Sequence, residues 1–137
     1  MNDDEKKEKL NQYLITVDRL KRKCDDAERW ETMSFGPSGS LKTRAGHAGP
    51  DEIKETAIEI RQECESMAIA VRNLRKEMDD AFSHMKDQRL RSYLESKYID
   101  GMSDADLSER SRYSLRHMRR LITQAVRELD RCGTYFS

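Results

Sequence analysis

Apolar side chains near the start of the chain fall at Leu10, Tyr13, Val17, Leu20, Cys24 and Ala27, in alternating steps of three and four. That spacing places all six on one side of an α-helix, so residues 3–33 are expected to form a helix with a single apolar stripe. The pattern then stops. The stretch SFGPSGSLKTRAGHAGP holds four of the six glycines and both prolines and has no periodicity, which predicts a loop over about 34–50. From Ile53 the stripe returns through Ala57, Ile60, Cys64, Met67, Val71, Leu74, Met78, Ala81 and Met85, in steps of four and three throughout. A run sustained over more than four heptads predicts an unbroken helix of coiled-coil character. Pro50 and Asp51 suit its start, because the first turn needs no proline N–H and the positive end of the helix dipole favours an acidic side chain.

Two striped helices joined by a loop predict a long antiparallel hairpin over residues 1–85, serving as scaffold and oligomerisation element. The second helix is expected to outrun the first, and its excess stripe must be covered. A second subunit would cover it and make the protein a homodimer; the alternative is a monomer in which the first helix and the C-terminal part cover everything.

Residues 86–137 have a different rhythm. Leu90, Leu94 and Tyr98 share one helical face, and Gly101 follows where a left-handed C-cap would end that helix. Ser103, with Asp106 three residues on, predicts the N-cap of a very short helix. Ser111 to Tyr113 break that helix, and Ser114 is placed to cap a third one with Met118, Leu121, Ala125 and Leu129 on its apolar face. A short helix, a tight turn and a longer helix make a helix-turn-helix. With Met118 and Leu121 inward, Arg116, Arg119, Arg120 and Thr123 face outward from the first turns, the part such a motif presents to the major groove. The predicted fold is therefore all-α: a hairpin followed by a C-terminal helix-turn-helix.

Charge sharpens this picture. The 137 residues carry 26 basic and 26 acidic side chains, a formal net charge of zero. Their distribution is uneven: Arg110 to Arg131 holds seven arginines against Glu128 and Asp130, whereas Asp51 to Ser83 holds nine acidic residues against five basic ones. A basic end attracts phosphates, and arginine can also pair two donors with guanine O6 and N7. Cys24, Cys64 and Cys132 include no C-x-x-C pair, so neither a disulfide framework nor a zinc site is expected, and packed thiols are. No run is long enough to cross a bilayer and the N-terminus has no apolar signal segment, so a cytoplasmic protein with no membrane partner is expected. His47, His84 and His117 have no nucleophile or metal ligand at mechanistic spacing, so neither catalysis nor a cofactor is expected; His117 is placed to touch phosphate or to pack its ring. Trp30 and Phe35 are expected to anchor the loop on the hairpin, and Lys42 and Arg44 are the basic residues of the loop itself.

The run LRSYLESKYIDGMSDADLSERSRYSLRHMRRLITQAVREL resembles region 4 of bacterial sigma-70-type factors and, more closely, the stand-alone phage regulators of the ArpU and RinA type. Leu94, Tyr98 and Gly101 match the family's helix end, Leu107 its buried aliphatic and Ser108 its small residue at a close helix approach. Tyr113, Ser114, Met118 and Leu121 match the turn, the cap and the inner face of its recognition helix. Two positions depart from the pattern: Arg112 stands where a turn glycine is usual and Ser111 where an apolar residue is usual. The resemblance covers residues 88–130 and implies that Leu115, Arg116, Arg119 and Arg120 face DNA. Arg112, Ser114, His117 and Thr123 complete the candidate set. It further implies double-stranded DNA as partner, bacterial RNA polymerase as a second, a bacterial host cytoplasm and a phage-encoded transcriptional regulator. No segment resembles the sigma module that melts promoters. Two other roles fit the same layout: a small-terminase-like DNA-packaging subunit, and an adaptor that docks on RNA polymerase without reading DNA.

Overall fold

The computed structural model describes residues 1–35 and 50–137. Over these the chain forms α1 (Asp3–Phe35), α2 (Pro50–Ser83), α3 (Gln88–Tyr98), α4 (Asp104–Ser111) and α5 (Leu115–Cys132). It is all-α: α1 and α2 form a long antiparallel pair, and three shorter packed helices follow. Side-chain partners show the direction. Tyr13 meets Arg75, Cys24 meets Cys64 and Glu31 meets Arg61, so as α1 advances its partners on α2 step backward. The pair differs from expectation in one respect: α1 has 33 residues and α2 has 34, so the second helix does not outrun the first. It stops at Ser83 and not at Met85, because the last carbonyls are taken locally. Ser83 Oγ donates to the Asp80 carbonyl at 2.6 Å, and the N–H groups of His84 and Met85 fold back on Ala81 and Phe82. Met85 stays in the core at 3% exposure.

The chain divides into two compact units, one of Thr16–Val71 and one of Met1–Ile15 with Arg72–Ser137. Within the first, Ala27, Ile53, Ala57 and Cys64 are buried, while Val17, Leu20, Ile60, Met67 and Val71 are half-buried. Two paired helices cover only the side of each stripe that faces the other. Lys23 pairs with Glu63 at 2.7 Å and Arg61 with Glu31 at 2.6 Å across this seam.

The other unit holds the larger core. Leu10 of α1 and Met78, Phe82 and Met85 from α2 and its following turn pack with Leu90 and Leu94 of α3, Leu107 of α4, and the inner face of α5. Leu94, Leu107, Met118 and Val126 are 0% exposed. Each such side chain contributes about 1.5–3 kcal/mol through burial. Asp87 caps α3, accepting from the N–H groups of Arg89 and Leu90. Gly101, at φ 81°, ends the chain's run out of α3 in the left-handed region, as its position after Tyr98 predicted. Lys9 lies over the Tyr135 ring, 4.5 Å from its centroid, and donates to the Tyr135 carbonyl, so the last residues are held against α1. Burial pushes the Tyr135 phenol up to about 12.

Candidate nucleic-acid interface

Three serines shape this surface. Ser103 Oγ accepts from the Asp106 N–H at 3.1 Å and Ser114 Oγ from the His117 N–H at 3.1 Å, so both predicted caps form. Between them α4 closes in a Schellman turn: the Tyr113 N–H reaches the Ser108 carbonyl at 3.1 Å and the Arg112 N–H reaches that of Glu109 at 3.3 Å. Arg112 takes φ 59°, ψ 30°, the left-handed conformation that glycine adopts without strain. The position where the resemblance calls for glycine is thus one whose backbone wants it. Ser108 Oγ donates to the Tyr113 carbonyl at 2.5 Å and ties the two ends of the turn together.

With α5 started by Ser114, its phase is fixed by Met118, Leu121, Ile122, Ala125, Val126 and Leu129, all buried. Arg116 and Arg120 lie on the opposite side, while Arg119 and Leu115 lie at the edge of the apolar stripe in the first turns; all four are exposed, with Arg112 and Ser114 exposed just ahead of them. Arg112, Arg116 and Arg120 join no ion pair among the described residues. Arg119 Nε lies 3.8 Å from Asp104 Oδ2, a long contact, since that carboxylate also holds Lys97.

The remaining candidates are engaged. His117 is half-buried and sets its ring edge-to-face against Tyr113, with centroids 4.8 Å apart. Thr123 is half-buried: its hydroxyl donates to the Arg119 carbonyl at 3.1 Å and accepts from Lys7 Nζ at 2.9 Å. Two further arginines of the basic stretch are also committed. Arg110 Nη2 donates to the buried Ser96 hydroxyl at 3.0 Å, bracing α4 against α3. Arg127 holds Asp3 at 2.8 Å, and this hydrogen bond, assisted by the charge of the guanidinium, keeps the Asp3 carboxyl below the usual carboxylate range.

Sequence reasoning missed Arg89. Exposed on the first turn of α3, it donates from Nε to the Tyr93 hydroxyl at 3.1 Å, and its guanidinium lies 5.4 Å from the Tyr113 ring centroid. It therefore adds a held positive charge beside the turn that leads into α5. The spacing of Arg89 and Tyr93 was visible, but their approach to Tyr113 is tertiary. Trp30 is half-buried. The Phe35 side chain and Lys42, Arg44 and His47 lie outside the described residues. Among the described residues, no group of three or more His, Cys, Asp or Glu side chains is placed to hold a metal ion, and no helix is long and apolar enough to cross a membrane. Compared with protein families, with curated proteins and with solved structures, the chain matches none of them.

Proposed function

We propose that this protein is a sequence-specific DNA-binding transcriptional regulator of the phage type, with α4 and α5 as its helix-turn-helix and α5 as recognition helix. The observation that carries this reading is the exposed set Arg112, Arg116 and Arg120, without carboxylate partners among the described residues and clustered at the capped N-terminal end of a helix whose opposite face is buried. A helix in the major groove reads bases with its first turns, and unpaired guanidinium groups there can serve both base edges and phosphates. Leu115, 37% exposed at the first position of α5, is suited to meet a thymine methyl group. Arg119, Arg89 and the Ser114 cap flank this set; His117 and Thr123 orient its neighbours and contribute less to contact.

The alanine variants of Arg116, Arg119 and Arg120, bound to a selected duplex and to a scrambled one at two salt concentrations, test the reading. Loss of a base-reading arginine should cost about 1–3 kcal/mol on the selected duplex and relax its preference, whereas loss of a phosphate contact should weaken both duplexes and flatten the salt slope by about one unit. If all three variants bind both duplexes as the parent does, α5 is not a recognition helix.

The same reading makes the regulator a homodimer that associates through the Thr16–Val71 unit. Support comes from the half-buried stripe residues of that unit and from Ile58 and Ile69, exposed at 58% and 61%. Light scattering on the full chain should return twice 16.1 kDa; a monomer would remove the dimer, and a large ring would favour a packaging role.

A further inference from the structure

Cys24 and Cys64 are 40 residues apart in sequence, yet their Sγ atoms lie 2.6 Å from one another, across the seam between α1 and α2. Each occupies a stripe position, and the antiparallel pairing brings the two to the same level. Both are free thiols; Cys64 is buried and Cys24 half-buried. A small oxidant can therefore reach Cys24, while Cys64 waits behind it. Arg61 lies beside them, with Nη1 4.0 Å from Cys64 Sγ.

We propose that Cys24 and Cys64 are a modification site, a dithiol that peroxide converts to an intramolecular disulfide pinning α1 to α2. In the first step Cys24 Sγ attacks one peroxide oxygen, the O–O bond breaks, and a sulfenic acid and one water form. Cys64 Sγ then attacks the Cys24 sulfur, the S–O bond breaks and a second water leaves. Two thiols and one hydrogen peroxide thus give one disulfide and two waters; a dithiol reductant reverses the change. The hydrogen bond to Cys64 and burial hold the Cys24 thiol above its usual range, so Cys24 rests as a thiol and is oxidised through its small thiolate fraction. Cys132 lies in the other compact unit and takes no part.

The full chain, treated with hydrogen peroxide, then denatured and alkylated with iodoacetamide, should take up one alkyl group, at Cys132, against three for the reduced chain. Tryptic peptides 24–29 and 62–72 should appear as one reducible species. The thermal midpoint should rise on oxidation by roughly 5–15 °C, because the bridge closes a loop of about forty residues. Cys24→Ser should abolish the rise and Cys132→Ser should leave it intact. Three alkylated thiols after peroxide would overturn the proposal. So would a bridge joining two chains, detected by mixing isotopically labelled and unlabelled protein.

Discussion

The Ser108 hydroxyl donates to the Tyr113 carbonyl at 2.5 Å, clasping a turn whose middle residue, Arg112, is held in the left-handed conformation. The clasp sets the direction in which α5 leaves α4, and it does so with a residue whose backbone is strained.

Stability and binding at Arg112 should therefore move in opposite directions. A left-handed non-glycine residue costs about 1–2 kcal/mol, and glycine gives back about half of that relief through the greater entropy of its unfolded chain. Arg112→Gly should stabilise the protein by about 0.5–1 kcal/mol in urea unfolding. It should also weaken binding to every duplex, since a guanidinium is lost from the proposed DNA face. A variant that is less stable than the parent would show that Arg112 makes a contact worth more than its strain.

Asp104 sits at the edge of the basic surface, where it holds Lys97 and draws on Arg119 at 3.8 Å. Removing its charge frees both cations for phosphate. Asp104→Asn should raise affinity for a scrambled duplex several-fold at low salt and steepen the salt slope. The first turn of α4 loses some dipole stabilisation, about 0.3–1 kcal/mol, in exchange. Unchanged affinity at low salt would place Arg119 and Lys97 away from the DNA.

Tyr98 is 2% exposed and its hydroxyl has no hydrogen-bond partner among the described residues, while burial pushes the phenol well above its ordinary range. A lone buried hydroxyl keeps its desolvation cost without the compensating bond. Tyr98→Phe should leave stability unchanged or raise it by about 1 kcal/mol, read from denaturant midpoints at constant slope. A loss of that size instead would mean the hydroxyl is satisfied in solution.

The pairing of Asp3 with Arg127 predicts an acid limb in stability. The folded carboxyl has the lower pKa, so the unfolded chain binds more protons over that window, and the stabilisation is complete above about pH 4 and lost as the pH falls. Asp3→Asn should lower the thermal midpoint at pH 7 by no more than a few degrees, because the pair is exposed to solvent. As the pH falls through the lowered pKa of the folded carboxyl the variant and the parent should converge; a constant difference across the whole acid range would assign the effect to something other than this charge.

Both long helices and all three C-terminal ones were legible because each rests on local signals: alternation of three and four, a capping Ser103 and Ser114, a left-handed Gly101. The outward phase of Arg116 and Arg120 was legible for the same reason, since Met118 and Leu121 fix the helix rotation. What escaped was pairing between distant parts of the chain. Lys7 reaches Thr123 across 116 residues, which takes up a hydroxyl that helix phase alone leaves pointing outward. Cys24 and Cys64 read as separate packed thiols until the register of α1 on α2 is known. Arg89 gains its place only when α3 lies against the turn before α5. The even lengths of α1 and α2 were missed because helix ends depend on local capping by Ser83 and His84, which apolar periodicity does not report.

The bond from Lys9 to Tyr135 joins residues 126 positions apart. A ribosome adding about 5–20 residues per second needs about 6–25 s to make the second after the first. Until α2 is made Leu10 has none of the partners that will bury it, and until α5 is made it has only part of them, so the first turns of α1 must wait in water or in the care of a chaperone. A synonymous change that slows translation between α2 and α5 would lengthen this exposure without altering a single side chain.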